Sequence, residues 1–232
     1  ISHQAMQQDR IPDDYILHTL RQTPQSVILY DPSGKREIYT DLKDIQENRY
    51  PADTFQHAMD GVDLFSICNI NFVREHLATV KATGKPIATD VHVLSNPHDE
   101  YNADFMRAAD ILFLSDEDLP DTPENFLRTL YDIYRNEIII LGMGKKGALL
   151  FEGRNSYMAH VQAINTRPIV NTIGAGDALF TSFCHCWLKD GNALTALRKA
   201  TVFASYKIGE ATAAAGFLND DELEEWCEKV YD

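Results

Sequence analysis

The stretch Asn171-Thr-Ile-Gly-Ala-Gly-Asp177 holds the residues of this chain best suited to chemistry. It follows an extended segment at 167–170 and opens a helix predicted over 175–188. Gly174 and Gly176 let the backbone approach a ligand closely. At a helix start the N–H groups of Gly174, Ala175, Gly176 and Asp177 lack intrahelical acceptors, which makes an anion site. Asp177 falls in the first turn, where the helix dipole favours its ionised form. A carboxylate there can take a proton from a hydroxyl. Donors around a developing charge, a metal, and a base beside the nucleophile are the parts that phosphoryl transfer requires. An isolated Gly-X-Gly-Asp is more often only a favourable first-turn acid, so its setting has to decide.

A second glycine-rich site competes. Gly142-Met-Gly144-Lys-Lys-Gly147 follows a predicted strand and matches the dinucleotide-binding fingerprint by letter. That fingerprint must open a helix, with an acidic residue about 20 positions on. Here residues 148–153 read as a strand and no such acid follows. A dinucleotide oxidoreductase is therefore rejected. A glycine-bearing turn with a packing role and a turn beside a nucleotide both remain open.

The elements that must position these residues alternate. Strands are predicted at 26–30 and 37–40, joined by the turn Asp31-Pro-Ser-Gly34 into a hairpin. Strands at 62–68, 86–90, 111–114 and 137–141 then alternate with helices at 53–59, 73–83, 101–108 and 124–134. An antiparallel strand follows at 148–151. Apolar strands alternating with helices imply a mostly parallel sheet covered on both faces, an α/β fold. Three helices close the chain. The first carries Leu179, Phe180, Phe183, Cys184, Trp187 and Leu188 as one stripe and stops at Asp190-Gly191. Asn192 caps the second, and Asn219 with Glu222 resembles a capping box for the third.

Composition narrows the partners. A net charge of −14 argues against nonspecific nucleic-acid binding and against docking on anionic membranes. It leaves room for a phosphate held by backbone N–H groups and a metal. No apolar run reaches the length of a membrane span, and the start has no signal-peptide pattern. The four cysteines fit neither a zinc site nor a disulfide framework, which suits reduced thiols in a cytoplasmic protein. Cys184-His185-Cys186 sits in a helical pattern where neighbours point apart, against a metal role.

Val170-Asn-Thr-Ile-Gly-Ala-Gly-Asp-Ala178 resembles the signature of the PfkB carbohydrate kinases of the ribokinase-like superfamily, usually Asp-Thr-X-Gly-Ala-Gly-Asp. Other pieces fall in the family's order. The hairpin at 26–40 resembles its lid, and Ala88-Thr-Asp90-Val-His92 its Asp-X-Asn segment. Residues 109–118 resemble the strand leading into its Asn-X-X-Glu motif, and residues 143–148 its Leu-Gly-X-X-Gly turn. The resemblance runs from about Ile11 onward.

It implies a three-layer ribokinase-like fold, with a lid region at 11–50 and an α/β nucleotide-binding and catalytic domain at 51–232. It implies a carbohydrate kinase that uses ATP and Mg²⁺ on a hydroxyl of a sugar, polyol, inositol or nucleoside. Asp177 becomes the base, and Gly174, Ala175 and Gly176 the anion hole. Thr172, Gly144 and Gly147 fall beside the nucleotide, and Gly209 in the 204–216 segment that forms part of the adenine pocket and a cation loop. Ser115 and Asp118 take the positions that organise Mg²⁺, Asp118 as the carboxylate. A homodimer through the lid is a further expectation.

Several positions depart from the pattern. Asn171 replaces an Asp that helps hold K⁺ and brings an amide oxygen without charge, which puts K⁺ activation in doubt. Ser115 and Asp118 replace Asn and Glu. Gly142 stands where Thr is common. The family's first strand and Gly-Gly substrate motif precede its lid, whereas here the hairpin comes almost at once. The expectation is a chain lacking the family's N-terminal portion. The alternative to an active kinase is a non-catalytic, ligand-binding or regulatory relative.

Overall fold

The computed structural model describes residues 6–7, 10–30 and 36–231, in two compact units. One comprises residues up to 62 together with 70–79. Its strands β1 (Gln25–Tyr30) and β2 (Arg36–Asp41) pair antiparallel, with Ser26 opposite Thr40. The predicted hairpin is present, while its turn at 31–34 lies outside the described residues. Helix α1 (Ala52–Ala58) presents Phe55, whose ring stacks on His76 at 4.2 Å.

The helix predicted over 73–83 is divided into α2 (Asn71–Arg74) and α3 (Leu77–Ala82). Between them His76 N–H bonds back only three residues, to Val73 O at 3.0 Å, which tightens the turn. The His76 ring is buried, with Nε2 2.7 Å from Tyr50 O. That tertiary bond is invisible to a helical period.

The second unit, residues 63–69 and 80–232, is built on a six-stranded sheet. Its strands are β3 (Phe65–Ser66), β4 (Ile87–Val93), β5 (Ile111–Ser115), β6 (Ile138–Gly142), β7 (Ala148–Glu152) and β8 (Tyr157–Val161), in that spatial order. β3 to β6 run parallel, and β7 and β8 antiparallel. Only two residues of the predicted 62–68 strand enter the ladder. β8 escapes sequence reasoning because Tyr157-Met-Ala-His-Val161 is a half-exposed edge without apolar alternation.

Both faces of the sheet are covered, which is why the central strands are buried along their length. Ile111 and Phe113 of β5 face one way, packing with helices α6 (Ala175–Asp190), α7 (Ala193–Lys207) and α8 (Asp220–Tyr231). Leu112 and Leu114 face the other, packing with α4 (Ala103–Ala108) and α5 (Pro123–Tyr134). The two-residue period of a strand sorts the side chains between the layers. Both caps read from the sequence form. Asn192 Oδ1 accepts from Thr195 N–H, and Asn219 and Glu222 bond each other's backbone N–H at 3.0 and 2.9 Å.

Candidate active site

Three strands of the second unit end along one edge of the sheet. Ser115 closes β5 beside Gly142, which closes β6, and Val93 of β4 lies opposite Ser115. In an open α/β sheet the carboxyl ends of the strands are where ligands bind.

β4 is irregular as it reaches this edge. Its register shifts between Asp90 and Val93, and His92 takes a left-handed φ of 60°. The His92 N–H folds back onto Asp90 Oδ1 at 2.8 Å, and its Nδ1 stands 3.6 Å from Oδ2. Burial pushes the Asp90 pKa up, His92 opposes the rise, and the carboxylate of Asp177 adds to it. Asp90 and Asp177, 87 positions apart in sequence, therefore share one electrostatic field.

The segment before α6 is an exposed strap, not a strand. The N–H groups of Val170 and Asn171 both donate to Ile208 O, at 2.9 and 3.0 Å, which ties the strap to the end of α7. Asn171 Oδ1 accepts from Ile173 N–H and its Nδ2 donates to Ala211 O, each at 2.9 Å. The amide that replaces the expected Asp is thus engaged in shaping the turn. Gly174 follows at φ +75° as the N-cap of α6, without a side-chain cap. A Cβ there would stand 3.3 Å from Ala213 Cβ.

Of the four expected anion donors, Ala175 N–H is turned onto Thr172 O at 3.2 Å. Those of Gly174, Gly176 and Asp177 have no acceptor among the described residues. Gly176 and Asp177 are exposed, and a Cβ on Gly176 would meet nothing within 4 Å. Open space, unspent donors and an exposed carboxylate meet at one helix end. The space and the donors fit a phosphate.

The other expected residues divide. Gly144 has φ +53° and open space around it. Gly147, at φ +96°, has a packing reason of its own, since a Cβ would stand 2.0 Å from Val161 O. Ser115 Oγ accepts from Glu117 N–H at 3.4 Å. Asp118 is exposed with φ +56°. Among the described residues no three His, Cys, Asp or Glu side chains converge as a metal cluster. A Mg²⁺ carried by one or two carboxylates and nucleotide phosphates does not need such a cage. Gly209 has no room for a side chain, because a Cβ would stand 2.2 Å from Arg167 Nε. Cys184 and Cys186 are buried, and burial pushes the Cys184 thiol up to about 12. Between them His185 turns to Asp220 at 2.8 Å.

Two residues near the strap were not singled out by sequence reasoning. Arg167 donates from Nε to Tyr206 O at 2.7 Å, pairs with Glu210 at 3.0 Å, and stacks 3.8 Å over the Tyr206 ring. Lys207 is fully buried. A clue to it exists: Ala193, Ala196, Ala200 and Lys207 recur on the buried face of α7, so a charge falls where the period expects an apolar residue.

Residues 3–221 match the family described as pfkB family carbohydrate kinase. The chain belongs to the PfkB carbohydrate kinase family. Among PfkB relatives, the acarbose 7(IV)-phosphotransferase of an Actinoplanes species is 22% identical over 88% of this chain and 68% of its own length. A deoxyribokinase of Salmonella typhi is 31% identical over 43% of this chain and 31% of its own length. In structure, a microbiome-derived acarbose kinase superposes with a TM-score of 0.78 at 22% identity, over 88% of this chain and 69% of that one. Arabidopsis thaliana ribokinase complexed with ribose and ATP gives 0.70 at 17% identity, over 89% and 69%. The ribokinase-like fold inferred from the sequence is thereby established. Among the described residues no helix is long and apolar enough to cross a membrane.

Proposed function

We propose that this chain transfers the γ-phosphoryl group of ATP to a hydroxyl of a sugar or sugar-like acceptor, with Asp177 as the base. The observation that carries the reading is the start of α6. There the N–H groups of Gly174, Gly176 and Asp177 are unspent, and the same helix turn carries the exposed carboxylate of Asp177.

The chemistry follows from that arrangement. The acceptor hydroxyl loses its proton to an Asp177 carboxylate oxygen as its oxygen bonds to the γ-phosphorus. The bond from that phosphorus to the bridging oxygen breaks, and ADP leaves with the electron pair. Charge spreads over the equatorial phosphoryl oxygens, where the N–H groups donate without having to reorganise. Asp177 is open to solvent and can release the proton there. Mg²⁺ when bound supplies charge neutralisation on the phosphates, and Asp118 with Ser115 would hold it through water. Gly144, Thr172 and the turn at Gly209 would border the nucleotide. Asn171 offers a monovalent cation only an uncharged oxygen already engaged by Ile173 N–H, so we expect no strong K⁺ dependence.

Relatives named for acarbose and for deoxyribose favour a sugar as the acceptor. The test is ATP consumption over a panel of sugars, inositols and nucleosides with Mg²⁺ present. Acceptor-dependent ADP release supports the kinase. ATP binding with no acceptor-dependent turnover anywhere on the panel would replace it with the non-catalytic reading.

A further inference from the structure

α7 ends on a side chain to which the mechanism above gives no part. Lys207 is 0% exposed, and a buried ammonium is costly unless it is paired. Its Nζ donates to the carbonyl of Ile173, one residue before the glycine that caps α6. Its Cε lies 3.5 Å from where a Cβ on Gly174 would stand. Burial pushes its pKa down, while the carboxylates of Asp177 and Glu210 hold it up.

The consequence lies in the peptide between Ile173 and Gly174. A trans peptide is planar, so its C=O and N–H point in opposite directions. With the Ile173 carbonyl drawn inward to Lys207, the Gly174 N–H is turned outward. Sterics alone do not choose that orientation, because glycine adopts either sign of φ readily. Were the peptide to turn over, a carbonyl oxygen would occupy the place of a donor and repel a phosphoryl group. The neighbouring carbonyls are held by backbone: Thr172 O by Ala175 N–H and Gly174 O by Ala178 N–H. Only Ile173 O, among these three, is held by a side chain.

We propose that Lys207 is a positioning residue that fixes the Ile173–Gly174 peptide with its N–H facing the phosphoryl group in transfer. Lys207 itself does not touch the nucleotide. The effect on rate rests on the kinase reading, whereas the effect on the peptide does not.

The Lys207→Met variant keeps the apolar stem and removes the donor and the charge. Labelling with ¹³C-carbonyl isoleucine and ¹⁵N-glycine selects the two Ile–Gly peptides of the chain, 173–174 and 208–209. In the variant the 173–174 pair should shift, with the Ile173 carbonyl moving upfield as its hydrogen bond is lost. If an acceptor has been found, kcat should fall on the order of 10²-fold, as for loss of one donor to the transition state, with KM for ATP unchanged. An unmoved 173–174 pair overturns the proposal, as does native kcat. A rise in KM for ATP with native kcat would also overturn it, since that assigns Lys207 to nucleotide binding. If the variant does not fold, the wild-type chain decides. A through-hydrogen-bond coupling between Lys207 ¹⁵Nζ and Ile173 ¹³C′ supports the proposal, and its absence sinks it. An inactive wild-type chain with these resonance effects intact would remove the kinase reading and leave the peptide device standing.

Discussion

Two glycine-rich turns of the second unit look alike in letters and differ in what their glycines are for. The turn at 142–147 joins β6 to the antiparallel β7, and Met143 N–H bonds Gly147 O across it at 2.8 Å. Its last glycine is confined: φ is +96°, and a Cβ would strike the backbone of Val161, Gln162 and Ala163. The turn at 171–177 opens α6 instead, and Gly176 at its exposed end has nothing within 4 Å of a Cβ. One glycine exists so that strands can close against it. The other leaves space that a ligand can fill. A glycine therefore reads as functional only after asking what its missing side chain would have met.

The largest expected effect breaks the open turn chemically. Asp177→Asn keeps the shape and removes the base, so kcat should fall on the order of 10²- to 10⁴-fold while ATP still binds. Near-normal turnover measured on a working acceptor would remove Asp177 from the mechanism. The next effect breaks the confined turn. Gly147→Ala must either move Val161 or distort a left-handed backbone. Urea denaturation should show a loss of about 3 kcal/mol. Unchanged stability would mean that the glycine is not there for packing. The smallest effect sharpens the contrast. Gly176→Ala sits in a helical conformation with open space, where alanine stabilises by roughly 0.5–1 kcal/mol. The thermal midpoint should hold or rise, while KM for ATP climbs about tenfold, equivalent to about 1.4 kcal/mol of lost binding. Wild-type KM in that variant would take Gly176 out of the anion site.

Much of this was legible beforehand. The parallel strands β5 and β6 announce themselves as short apolar runs between helices, because burial on both faces leaves little place for polar residues. Caps at Asn192 and Asn219 are local chemistry and are read from adjacent letters. What stayed hidden depends on distant partners. β8 is a strand because β7 offers it a ladder. The helix expected over 73–83 breaks at His76, whose ring bonds Tyr50 across 26 residues. At the site, the motif located Asp177 and its glycines. It could not reveal that Ala175 N–H is spent on Thr172 O, or that Asp90 shares the field of Asp177.

By itself the sequence determined the family, the alternation of strands and helices, and where the candidate donors and the proposed base lie, at 174–177. The family comes from the resemblance of 170–178 to a known signature, and the rest from local periods, caps and spacing, which act over a few residues. The tertiary structure decided which of those donors stay unspent, why Gly147 cannot be larger, and that a lysine 34 positions away grips the turn before α6. Such facts come from backbone groups meeting side chains across the fold, and no local period encodes them.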